Sequence, residues 1–177
     1  DWFVLRDAHF GGAWEAGRNW RVVRPGGALV YSVVYGPGNH PAYVITVLTV
    51  LNVVAAVLLL RLLRRFVPPC VALIVAFLWV LLPMRTSVEV WAAASNIALS
   101  VLLALAALLA LTDERSRPPL LAGGGLLCLV AGLTYESPVP ALLLAAVVLP
   151  FLRKVANPRL AAGCGTAGCV AALAWTL

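Results

Sequence analysis

Few side chains in this chain could do chemistry, and they fall in three places. Asp1 and Asp7 lead the stretch DWFVLRDAHFGGAWEAG, and Arg18, Arg21 and Arg24 follow. Arg85 and Glu89 sit in LLPMRTSVEVWAAASN, residues 81–96. Glu136 stands alone in LTYESPVP, between LLAGGGLLCLVAG and ALLLAAVVLP. Carboxylates can take a proton from an attacking hydroxyl. Arginines offer a planar, permanently charged fork that matches phosphate oxygens. Together they suit a site for an anionic substrate, provided the elements between them bring them to one place.

Those elements are apolar. Of 177 residues, 63% are hydrophobic and 11% charged, with a mean hydropathy of +0.99. A soluble domain has roughly 25% charged residues, so the composition predicts an integral membrane protein with an all-α, polytopic helix bundle. The net charge of +6 is then set by loops and points to no nucleic acid. The chain starts at Asp1-Trp2 and stops within an apolar run, which reads as a piece of a longer polytopic protein. Cys70, Cys128, Cys164 and Cys169 all lie in apolar segments and read as small packing residues, since a zinc site needs closer ligand pairs together with His.

Six apolar runs are candidate spans: about 41–62, 68–83, 89–111, 118–133, 138–152 and 159–177. Arg61, Arg64 and Arg65 follow the first, DERSR follows the third, and Arg153, Lys154 and Arg159 follow the fifth. Basic loops stay in the cytoplasm, so these share the cytoplasmic side of a plasma membrane. Residues 1–40, Arg85, Glu89 and Glu136 then face outward. Between Arg117 and Arg153 lie only 35 residues for two arms and a turn. That leaves ~15–16 per arm, or ~23 Å at helical rise, against ~30 Å of hydrocarbon. The hairpin falls short, which recesses Glu136 in the outer leaflet. An ionisable residue at such depth is a functional candidate.

Residues 1–40 differ in kind. They hold Trp2, Trp14 and Trp20, Tyr31 and Tyr35, and seven charged groups, which describes an extracytoplasmic loop with interfacial helices. Turns are expected at Arg24-Pro25-Gly26-Gly27 and at GPGNHP. If the third run is helical from Arg85, Glu89 lies four residues on along one face and Asn96 falls near it.

These segments, in this order, resemble the GT-C class of membrane glycosyltransferases, near the protein O-mannosyltransferase group. DWFVLRDAHFGGAWEAG is similar to the external loop that follows that class's first span. RPGGALVYSVVYGPGNHPAYVITVLTVLNVV resembles its Arg-Pro element and next helix, and LTYESPVPALLLAAVVLP its Lys-Glu-Ser element. The pattern departs at Leu82, where relatives carry His before the proline, at Tyr135, where Lys is common, and in the spacing of Glu89 from Pro83.

The resemblance implies a polyprenyl-phosphate-linked sugar as donor, entering from the lipid bilayer, and an extracytoplasmic glycan or protein acceptor. Asp1 would be the base or its orienter, with Asp7 second. Arg18, Arg21, Arg24 and Arg85 would hold the phosphate, and Glu89 and Glu136 would line the same cavity. Some members use a divalent metal and others none, and scattered carboxylates leave that open. A lipid or solute transporter and a non-catalytic membrane subunit are the alternative readings, the latter on the small-residue run AAGCGTAGCVAA, which suits close helix packing.

Overall fold

The computed structural model describes residues 41–81 and 94–176, apart from 116, 137 and 154. Among these residues the structure is all helical, with no strand. Six helices follow in order: α1 Pro41–Leu63, α2 Pro69–Leu81, α3 Ala94–Leu111, α4 Pro118–Thr134, α5 Val139–Leu152 and α6 Pro158–Thr176. Each of the six expected runs therefore contains one helix, with ends shifted by up to five residues.

Proline sets most of the starts. Pro41, Pro69, Pro118 and Pro158 each open a helix, where the missing N–H costs nothing and the fixed φ is already helical. Arg117, held extended before Pro118 and Pro119, marks the entry to α4. A residue before proline is driven out of the helical region. At the end of α1 the chain tightens through Phe66 N–H to Leu63 O at 2.9 Å before Pro68 and Pro69 restart it.

The helices pack in the spatial order α2, α1, α3, α4, α6, α5, each against the next, while α3 also touches α5 and α6. Helices α3 to α6 thus close on themselves, α1 flanks α3, and α2 lies outside α1. The successive helices α4 and α5 touch each other little, because α6 packs closely on both. The core runs through Leu105, Leu108, Leu111, Leu121, Ala131, Leu142 and Ala146.

Helices α4 and α6 approach almost backbone to backbone and run parallel. Gly125 lies against Cys164 and Gly168, and Gly132 against Ala172. A Cβ on Gly125 would sit 2.6 Å from the Cys164 carbonyl oxygen. One on Gly168 would collide with the Gly125 carbonyl oxygen. Small residues let helices dock this closely, and the stripe places Cys128 and Cys169 side by side in the buried seam.

The outer helices show the opposite character. Residues 42–63 of α1 make the one helix, among those described, long and apolar enough to cross a membrane, and only 17% of that stretch is buried. Thr46 and Thr49 donate back to the carbonyls of Ala42 and Ile45 at 2.7 and 2.8 Å, so their hydroxyls are satisfied within the helix. In α2 only Ala72 and Ala76 are buried. Leu73, Ile74, Phe77, Leu78 and Leu81 are all exposed.

Candidate functional site

Of the residues singled out from the sequence, the structure places Glu136. Asp1, Asp7, Arg18, Arg21, Arg24, Arg85 and Glu89 lie outside the described residues, as do the expected interfacial helices and the loop of residues 1–40. Glu136 lies in the turn from α4 into α5, and α3 meets that turn at the neighbouring Tyr135 carbonyl.

The arms of this hairpin are short. Helix α4 has 17 residues and α5 has 14, lengths of ~25 and ~21 Å at 1.5 Å per residue. At its tip, Tyr135 leaves the helix in an extended conformation while its N–H still reaches the Ala131 carbonyl at 3.1 Å. The Glu136 carbonyl then accepts the Val139 N–H at 3.0 Å and starts α5. Glu136 itself is half-buried, with its Oε2 shielded from solvent.

Helix α3 holds this tip through Ser100. Its hydroxyl, fully buried, donates to the Ala131 carbonyl at 2.8 Å, with the Tyr135 carbonyl at 3.2 Å as a second acceptor. Thr134, also buried, donates to the Val130 carbonyl at 2.7 Å. The Val130 and Ala131 carbonyls, one turn from the end of α4, each thereby gain a hydroxyl donor. Asn96 precedes Ser100 by one turn on the same face of α3. It is 2% exposed, and its Oδ1 has no hydrogen-bond partner among the described residues.

A second polar cluster lies at the opposite end of the bundle. Arg65 Nη1 donates to the Leu109 carbonyl at 2.7 Å and to Thr112 Oγ1 at 2.8 Å. Arg153 Nη1 donates to the Arg65 carbonyl at 2.9 Å, and its Nη2 is paired with Glu114 Oε1. The Arg115 N–H closes the intervening loop on Asp113 Oδ1 at 3.0 Å. Burial pushes the Arg65 guanidinium below its ordinary value, with Asp113 pulling it back up, and it remains charged. The basic segments expected to share one side are thus gathered at one end, and Glu136 is at the other.

No protein-family model matches the chain, and neither a curated protein nor a solved structure matches it. Its chemistry must therefore be argued from the chain itself. Among the described residues, no three of His, Cys, Asp and Glu converge on a position that could hold a cation. Two residues of the site carried little signal in the sequence. Asn96 entered only through its spacing from Glu89, and Ser100 not at all. The available signal was the pair itself, two polar residues four apart in the apolar run ASNIALSVLLAL.

Proposed function

We propose that the chain belongs to a multi-pass plasma-membrane glycosyltransferase that moves a sugar from a polyprenyl-phosphate donor to an extracytoplasmic acceptor. The observation that supports this reading is the acidic tip of a short hairpin, with Glu136 next in the chain to the Tyr135 carbonyl that buried Ser100 meets, and opposite the basic end. In a bilayer ~30 Å thick at its core, arms of this length leave the tip below the surface. Irregular backbone at that depth requires protein or a watery cavity around it, and a lipid-borne sugar would reach such a cavity sideways. The exposed apolar surfaces of α1 and α2 are suited to acyl chains, and the basic end to the cytoplasmic face.

In the reaction, the acceptor hydroxyl oxygen bonds to the anomeric carbon as that carbon's bond to the phosphate oxygen breaks. The bonding pair leaves with polyprenyl phosphate, and the hydroxyl proton passes to a base. Asp1 is our choice for that base or its orienter, with Asp7 second. Arg18, Arg21, Arg24 and Arg85 are assigned to the departing phosphate, whose growing charge fixed cations stabilise. Glu89 and Glu136 are assigned to orienting sugar hydroxyls or these arginines.

The test uses the intact protein in lipid nanodiscs, with lipid-linked sugars of several kinds and release of polyprenyl phosphate as the readout. Wild-type protein should release it only when an acceptor is supplied, and Asp1→Asn should abolish release. Full activity in Asp1→Asn removes that residue from the mechanism. Absence of release with every donor overturns the reading.

A further inference from the structure

Leaving the Asn96 carbonyl oxygen unpaired is costly. Burying an amide oxygen without a donor costs about 1–3 kcal/mol, and nearly all buried polar groups in folded proteins are satisfied. Asn96 is among the largest fully buried side chains of the described residues, on the face of α3 that carries Ser100. One turn of helix is a rise of ~5.4 Å, which puts Asn96 at the tip end of α3, one turn beyond the level where Ser100 meets Tyr135.

The chemistry of the surrounding groups restricts what could pair with it. The Ser100 proton is committed to main-chain carbonyls, so Ser100 offers lone pairs alone. The Glu136 carboxyl group adds oxygen acceptors. The tip is thus rich in acceptors. A ring bearing several hydroxyl donors matches it.

We propose that Asn96 Oδ1 accepts a hydrogen bond from a ring hydroxyl of the transferred sugar, making the α4–α5 tip the sugar subsite. This deepens the glycosyltransferase reading and rests on it. The division of labour follows: arginines for the phosphate, the acceptor-lined tip for the sugar. Asn96 is then a specificity residue, because a site whose buried polar group needs a substrate hydroxyl rejects analogues that lack it.

Binding to the intact protein in nanodiscs tests this, with farnesyl phosphate as one probe and the same lipid carrying mannose, glucose, galactose or arabinose as the others. Wild-type protein should bind at least one sugar-bearing lipid about tenfold more tightly than the bare lipid, the value of one good hydrogen bond. Asn96→Ala should lose most of that preference and leave the affinity for bare farnesyl phosphate unchanged. Asn96→Asp, which keeps a carbonyl-type acceptor, should restore part of it. Without lipid, the midpoint of thermal unfolding of Asn96→Ala should match or exceed that of wild type, since an unpaired buried amide is removed.

A lowered midpoint in Asn96→Ala with an unchanged preference makes Asn96 a packing residue and overturns the proposal. Equal wild-type affinity for bare and sugar-bearing lipids also overturns it, while leaving the lipid-phosphate reading standing. Failure to bind any of these lipids overturns both.

Discussion

Arg153 donates to the main-chain carbonyl of Arg65 at 2.9 Å, joining positions 88 residues apart in the chain. This single bond ties the end of α5 to the end of α1, and the Arg65 side chain carries the connection on to α3 through Leu109 and Thr112. Three helices that leave the bundle in the same direction are thereby stitched at one level. The stitching fixes the register of the opposite ends too, where Ser100 meets the end of α4 just before Glu136.

Removing the Arg65 side chain should therefore cost more than removing an exposed arginine. Arg65→Met deletes two charge-assisted hydrogen bonds at a half-buried position, and such bonds contribute ~1.5–3 kcal/mol each at most. We expect a loss of ~2–3 kcal/mol in reversible unfolding in detergent. Arg117→Ala, at an exposed position, should stay within ~0.5 kcal/mol. Glu114→Gln should also change little, because Glu114 is 70% exposed and exposed ion pairs contribute ~0–1 kcal/mol. Equal losses for Arg65→Met and Arg117→Ala would show that the latch is not structural.

Glycines in the α4–α6 seam should respond to substitution by position. Gly168→Ala forces a methyl into the Gly125 carbonyl, a backbone atom that cannot swing aside. Overpacking of this kind costs ~1–3 kcal/mol. Gly163 and Gly123 have nothing within 4 Å of a new Cβ, and alanine there should stabilise by ~0.5–1 kcal/mol through helix propensity. Thermal unfolding of the three variants side by side checks the contrast. A tolerant Gly168 would mean that α4 and α6 are further apart than described.

The two ends of the bundle should face opposite sides of the membrane. In a background with the native cysteines replaced, Arg117→Cys should react with a charged, impermeant thiol reagent only in inside-out vesicles. Glu136→Cys should react in right-side-out vesicles, and faster with a small reagent than with a bulky one, as a recessed tip requires. Labelling of both positions from one side would rule out the sidedness drawn from the basic loops.

The helices were legible because their signals are local. Pro69, Pro118 and Pro158 follow or precede arginines and bound apolar runs, so ends can be read without knowing any neighbour. The shortness of the Glu136 hairpin came from the same count, and the 17- and 14-residue arms agree with it. What packs on what was not legible. Small residues occur throughout, in GGG at 123–125 as much as in GCGTAGC at 163–169. Only the register of α4 against α6 selects Gly125, Gly168 and the Cys128–Cys169 contact. At the site, Ser100 was missed because one hydroxyl in an apolar run looks like packing until its acceptors, 31 and 35 residues away, are known. The aspartates and arginines expected to complete the site lie outside the described residues.

Ser100 connects that packing to the proposed chemistry. Its hydroxyl donates to Ala131, whose carbonyl keeps the Tyr135 N–H as a second partner. Ser100→Ala should therefore cost only ~0.5–1.5 kcal/mol in stability. The tip it holds, however, carries Glu136, and a displacement of ~1 Å at a positioning group can cost about 100-fold in rate. We expect Ser100→Ala to lower kcat by ~10- to 100-fold with a smaller change in KM for the lipid-linked sugar. Glu136→Gln should fall in the same range if the carboxyl group orients the sugar or an arginine. In the double variant the two losses should not add, because both act through one hairpin tip. Steady-state release of polyprenyl phosphate across the four proteins measures this coupling. Fully additive losses would mean that Ser100 and Glu136 act independently, and that the hydrogen bond from α3 does not position the carboxyl group.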